Sequence, residues 1–154
     1  MRFAGTGRFV FIAQWVLGVL LPIFFFLGRG VVGAELGWLA IVGIVYGILV
    51  IFVLLVPPLL TLFDTQSRRA RKTRLAYDIP TIVLWVGLLL GALTVPDSGD
   101  SGHLDSALST WTGISYETSQ AIFYIAATII GLAYLAQVVT SIMGIVRGRY
   151  PVDA

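Results

Sequence analysis

The chain has no cysteine, one histidine and one lysine in 154 residues. Without cysteine there is no disulfide, no thiolate nucleophile and no cysteine-held metal, and the redox compartment stays unread. The one histidine, His103, cannot supply the axial ligands of a haem within a membrane. Its neighbours Asp100 and Asp105 make a poor metal site with it, so a solvated loop residue is expected. Charge is scarce too. Charged residues make up 12% of the chain, against about a quarter in soluble domains, while hydrophobic residues reach 58%. So few charges cannot cover so large an apolar core in water, and lipid must supply the cover. Gly-rich phosphate loops and the H-E-x-x-H and G-x-S-x-G arrangements are missing as well. No cofactor and no catalytic site are expected, because no set of titratable groups is seen to meet.

What is present is four long apolar runs without a charged residue, at about 9–27, 36–56, 79–95 and 121–146. Each is long enough to span a bilayer: the 21 residues of the second make about 31 Å at 1.5 Å per residue. The sequence therefore predicts an all-α integral membrane protein, a single bundle of four transmembrane helices. The first run follows a basic start but exceeds a signal-peptide core in length and lacks an A-x-A site, so it reads as a retained helix.

The charges outside the runs are sorted by sign. Nine of ten basic residues lie in three segments: Arg2 and Arg8; Arg68, Arg69, Arg71, Lys72 and Arg74 in a 64–78 loop; and Arg147 and Arg149. With Asp64, Asp78 and Asp153 these segments sum to +9 − 3 = +6. The other side holds Arg29 against Glu35, Asp97, Asp100, Asp105 and Glu117, or +1 − 5 = −4. Basic residues mark the cytoplasmic side, so both termini are expected there. The Arg68–Arg74 cluster reads first as a topology signal, then as a contact for anionic lipid or a partner. Nucleic acid is a poor reading, since the same residues already set topology. The arginine-rich basic set points to a bacterial cytoplasmic (inner) membrane.

Local signals place the breaks. Helix 2 should run to Pro57–Pro58, with Leu59–Phe63 a separate apolar turn at the inner interface or a kinked extension, and Asp78 with Pro80 reads as the N-cap and early proline of helix 3. In the outer 96–120 connection, Leu104, Ala107, Leu108 and Trp111 recur at helical spacing and predict a short amphipathic helix on the headgroups. Thr118 or Ser119 is expected to cap helix 4.

Two sets of residues invite a role. Gly43-x-x-x-Gly47 and Gly87-x-x-x-Gly91 form flat grooves where another helix backbone can approach. Packing inside one bundle is the expected use, an oligomer seam the competing one. Gln14 in helix 1 and Gln137, Thr140 and Ser141 in helix 4 are polar at bilayer depth. Lipid offers an amide no partner, so Gln14 and Gln137 should point inward and meet, with helix 1 beside helix 4. Glue between helices is the bland reading, a polar substrate path the sharp one. No ionisable residue is expected at bilayer depth, which disfavours proton coupling. The sequence thus reads as a non-catalytic accessory or assembly subunit, or a scaffold binding lipid, a membrane-protein partner or a second copy. The alternative is an oligomeric passive channel or uncoupled carrier.

Overall fold

The computed structural model describes Phe3, residues 5–100 and residues 102–148. Arg2, Arg149 and Asp153 lie outside the described residues. Four helices are long and apolar enough to cross a membrane: α1 Gly7–Phe26, α2 Trp38–Thr61, α4 Leu75–Thr94 and α6 Tyr116–Gly148. Three shorter helical pieces join them: a 3₁₀ turn Gly28–Val32, α3 Thr65–Ala70 and α5 Ala107–Thr112. A small antiparallel hairpin, β1 Asp97–Gly99 with β2 Gly102–Leu104, pairs Ser98 with His103. The chain is an all-α, multi-pass membrane protein, with this hairpin and an isolated bridge between Phe3 and Arg74 as its β pairing among the described residues.

The helices stand in a ring whose order is not the order of the chain. α1 packs against α2 and α4, and α6 packs against α4 and α2. α1 and α6 are therefore diagonal, not side by side as the two glutamines led us to expect. Since successive spans alternate in direction, the ring has two antiparallel contacts (α1·α2, α4·α6) and two parallel ones (α1·α4, α2·α6). The link from α2 to α4 must then cross the bundle's end diagonally, and α3 lies on that crossing. The 64–78 segment is consequently no free loop.

Many polar side chains face inward. Among the described residues, sixteen polar or charged residues are buried against twelve hydrophobic ones, while long runs of Ile, Leu, Val and Phe face out. α4 has the lowest mean hydropathy of the four spans, 1.7, and half of its window is buried, against 17% in α2. The span of lowest mean hydropathy is thus the one with the largest buried share. Around it an apolar layer gathers Leu21, Leu54, Leu84, Leu88 and Ala133.

α2 does not stop before Pro57–Pro58 but runs through both to Thr61. A proline inside a helix frees the carbonyl four residues back. Pro57 frees that of Val53, and the Tyr134 hydroxyl of α6 donates to it at 3.0 Å. A neighbouring side chain thus replaces the missing N–H, as membrane helices require. α4 begins at Leu75, earlier than expected, with Arg74 as N-cap residue, so Asp78 sits inside a spanning helix rather than capping it. Asp78 thus lies in the first turn of α4, at its basic end. α6 starts at Tyr116, and Ser119 is not its cap. Ser119 is buried, donates to Thr94 O at 2.8 Å and lies 2.7 Å from the Ser106 hydroxyl. The expected amphipathic face is divided: Leu104 belongs to β2, Ala107 is fully buried, and Trp111 is exposed.

Both glycine pairs are used inside the bundle. A Cβ at Gly43 would overlap the Phe26 side chain of α1, and Gly47 lies beside the same ring at an ordinary 3.6 Å. A Cβ at Gly87 would come within 2.9 Å of Ile130 on α6, and one at Gly91 within 3.2 Å of Phe25.

The acidic end is tied by a group the sequence presented as an isolated outer charge. Arg29 is fully buried. It pairs with Asp97 and donates to Val95 O at 3.0 Å. Asp97 also accepts the backbone N–H groups of Gly37 (2.7 Å), Leu39 (3.0 Å) and Ser98 (2.8 Å). It thereby fastens the 3₁₀ turn, the start of α2 and the hairpin together. Burial by itself would raise the Asp97 pKa. The three N–H donors and the Arg29 charge outweigh burial and hold it below the usual carboxylate value. A carboxylate with a lowered folded pKa stabilises above its unfolded value of about 3.9 and loses that stabilisation as pH falls through the folded value. Asp97→Asn should therefore lower the thermal midpoint in detergent at pH 7. The gap from wild type should close as the pH falls below about 4. Equal midpoints at neutral pH would refute this role for the pair.

Candidate functional site

The other end of the bundle, where Arg8, Arg68, Arg69, Arg71, Lys72 and Arg147 gather, leads inward to a series of adjacent polar clusters. Its entrance is the Asp64–Arg74 pair. Asp64 caps α3, accepting from Gln66 N at 3.1 Å and Ser67 N at 3.3 Å, and from the Ser67 hydroxyl at 2.8 Å. Arg74 donates its Nε to Asp64 at 2.8 Å and its Nη2 to the Gln66 amide oxygen at 3.0 Å. Burial would raise the Asp64 pKa, but Arg74 and Ser67 outweigh it and keep it below the usual value. Asp64 also presses on α6, where Gly144 leaves it room and Thr65 donates to Gly148 O at 2.8 Å.

Of the five basic residues expected to meet lipid or a partner, Arg68, Arg69, Arg71 and Lys72 are exposed. Arg74 is not: it is buried in the Asp64 pair. The diagonal crossing of the bundle end turns it inward. Asp78 is buried beside it, accepting from the Thr6 hydroxyl at 2.9 Å and from that of Thr73. Thr73 also meets Gly7, its N–H donating to Gly7 O at 3.1 Å, an approach that leaves no room for a Cβ at Gly7.

Deeper in, Tyr77 joins the two glutamines. Its hydroxyl donates to Gln14 Oε1 at 2.7 Å and accepts from Gln137 Nε2 at 3.2 Å. Gln14 Nε2 donates to Phe11 O at 3.1 Å and lies 3.5 Å from the Thr61 hydroxyl. Gln137 Nε2 donates a second bond, 2.8 Å, to Thr81 Oγ1. Both glutamines are almost wholly buried, at 1% and 2% exposure. They stand on diagonal helices and meet only through α4. Ser141 is buried and donates back to Gln137 O at 2.7 Å, while half-buried Thr140 bonds the carbonyls of Ala136 and Gln137 in its own helix.

Tyr77, Thr81, Thr61 and the Asp64–Arg74 pair went unseen in the sequence. A signal for two of them was present. Tyr77, Thr81, Leu84, Leu88 and Gly91 recur at helical spacing, so extending helix 3 by one turn would have put Tyr77 and Thr81 on its packed stripe. Two small cavities lie along the network, each about 10 Å³, or room for about one water. One is bounded by Asp64, Ser67, Arg74, Tyr77 and Ser141, the other by Gln14, Gln137 and the apolar layer above. That layer closes the network before it reaches the acidic end. Among the described residues no three His, Asp or Glu side chains converge as metal ligands.

Chemically the network is a set of ion pairs, amide contacts and hydroxyl bridges rather than an open reactive group. Tyr77→Phe should test its structural weight. It strands one acceptor of Gln14 and one donor of Gln137, and should cost about 1 kcal/mol, within the measured span for intramembrane hydrogen bonds. Thr140→Val, which removes bonds within one helix only, should lie near zero. Thermal unfolding in detergent compares the two, and equal losses would contradict the bridging role.

Comparison of the chain with protein-family models, with curated proteins and with solved structures finds no match.

Proposed function

We propose that the chain is a non-catalytic membrane component: an assembly or accessory subunit, or a helical scaffold that binds lipid or a protein partner. The observation that carries this reading is the closed interior. Above Gln14 and Gln137 the layer of Leu21, Leu54, Leu84 and Leu88 fills the bundle, and the spaces beside the network hold about one water each. A solute path through one copy would need that layer removed. The buried charges support the same reading, since Arg29, Asp97, Arg74, Asp64 and Asp78 are engaged in bonds that hold elements together.

We assign the basic end to the cytoplasmic side of a bacterial inner membrane, with both termini there, on the positive-inside bias. Arg68, Arg69, Arg71 and Lys72 then face anionic headgroups, each contributing about 1 kcal/mol near a charged surface. The chain lacks cysteine, so single-cysteine labelling in intact cells is direct. Lys72→Cys should resist an impermeant maleimide and His103→Cys should react; the reverse pattern would invert the assignment. Ser67 is unsuited to this test because it is buried against Asp64.

The competing reading is a passive channel or uncoupled carrier formed between copies. Flux in liposomes of purified protein separates the two. No protein-dependent uptake of ions, water or small neutral solutes is expected. Uptake that rises with protein density would overturn the scaffold reading.

A further inference from the structure

The hydrogens of the inner network have a fixed direction. Thr61 donates to Pro58 O at 2.7 Å, so its oxygen is free to accept from Gln14 Nε2. Phe11 O demands that the Gln14 nitrogen face it, which turns Gln14 Oε1 toward the Tyr77 hydroxyl. Tyr77 spends its hydrogen on Gln14 and Thr81 spends its own on Tyr77 O at 2.7 Å. Both oxygens can then only accept, and both accept from Gln137 Nε2. The amide of Gln137 is therefore oriented by its neighbours, and Oε1 is the end left over. That atom is buried and has no hydrogen-bond partner.

A buried acceptor calls for a donor. Gln137 and Gln14 line the same cavity of about 10 Å³, whose other walls are apolar: Leu17, Leu54, Leu84 and Leu88 among them. The volume fits about one water-sized molecule. No carboxylate borders it, so a cation would be buried without a counter-charge, which is costly. Gln14 Oε1 and Gln137 Nε2 both bond the one Tyr77 oxygen, which brings the two amide groups together at the wall of this cavity. Each carbonyl oxygen has two lone pairs, so Gln14 Oε1 keeps one after accepting from Tyr77.

We propose that this chamber is a binding site for a single internal water that donates one hydrogen to Gln137 Oε1 and the other to Gln14 Oε1. The water closes a ring through Tyr77 and joins the diagonal helices α1 and α6, which have no direct side-chain bond at this level. The site is independent of whether the protein is a scaffold or a channel.

Infrared difference spectroscopy on the full chain in nanodiscs tests it, comparing wild type with two variants. Gln137→Leu removes the orphan acceptor. Leu84→Phe fills the chamber from its apolar wall and leaves both amides in place, so it serves if Gln137→Leu does not fold. The expected result is an O–H stretching band that shifts in H₂¹⁸O and is lost in each folded variant. Absence of any ¹⁸O-sensitive difference band would overturn the proposal. So would a thermal midpoint raised by sodium or ammonium over choline at equal ionic strength and lost in Leu84→Phe, which would make the occupant a cation.

Discussion

Lipid accepts and donates no hydrogen bonds, and that constraint organises this protein. A buried polar group must find its partner within the protein or in a water the protein encloses. The consequence is visible helix by helix. Val53 O, freed by Pro57, takes the Tyr134 hydroxyl. The Gln14 amide takes Phe11 O and Tyr77. Thr94 O takes Ser119. α4, the span with the largest buried share, keeps Tyr77, Asp78, Thr81 and Thr94 inside, and many large apolar residues that would form the core of a soluble bundle face outward.

The ring order of the helices follows through to both ends. Because α2 and α4 are diagonal, the segment between them has to cross the basic end, and the crossing needs support. Asp64 supplies it by capping α3, holding Arg74 and docking on α6 at Gly144. α4 and α6, by contrast, are antiparallel neighbours that a short turn could join. The residues between them are instead spent on the hairpin and α5, which cover the acidic end and bring Asp97 to Arg29.

Buried ion pairs are weak contributors to net stability, because desolvation offsets much of their attraction, yet removing one partner is costly. Arg29–Asp97 and Arg74–Asp64 accordingly act as specifiers of arrangement. Each joins parts distant in sequence at an end of the bundle where the helices alone would leave a choice. The interior between them is apolar, which separates the polar network of the basic end from the clasp of the acidic end.

The sequence by itself determined the membrane class, the number of spans and the sorting of charge, because hydrophobic run length and charge bias act locally along the chain. It also determined that Gln14 and Gln137 would be inside, since lipid excludes an amide wherever the helix sits. It misjudged the ends of the spans. A proline pair tends to stop a helix in isolation, whereas here the Tyr134 hydroxyl, 81 residues from Val53, takes the carbonyl that Pro57 frees. It also took Arg29, Arg74 and Asp78 for loop charges, since nothing in their neighbours announces a distant partner. Which helix lies beside which was decided by tertiary structure alone. Small residues at Gly43 and Gly87 advertise a close approach without naming what approaches, and the fit of Phe26 and Ile130 into those places supplies the answer. Tyr77 became the link between the glutamines because the packed ring put α4 between α1 and α6.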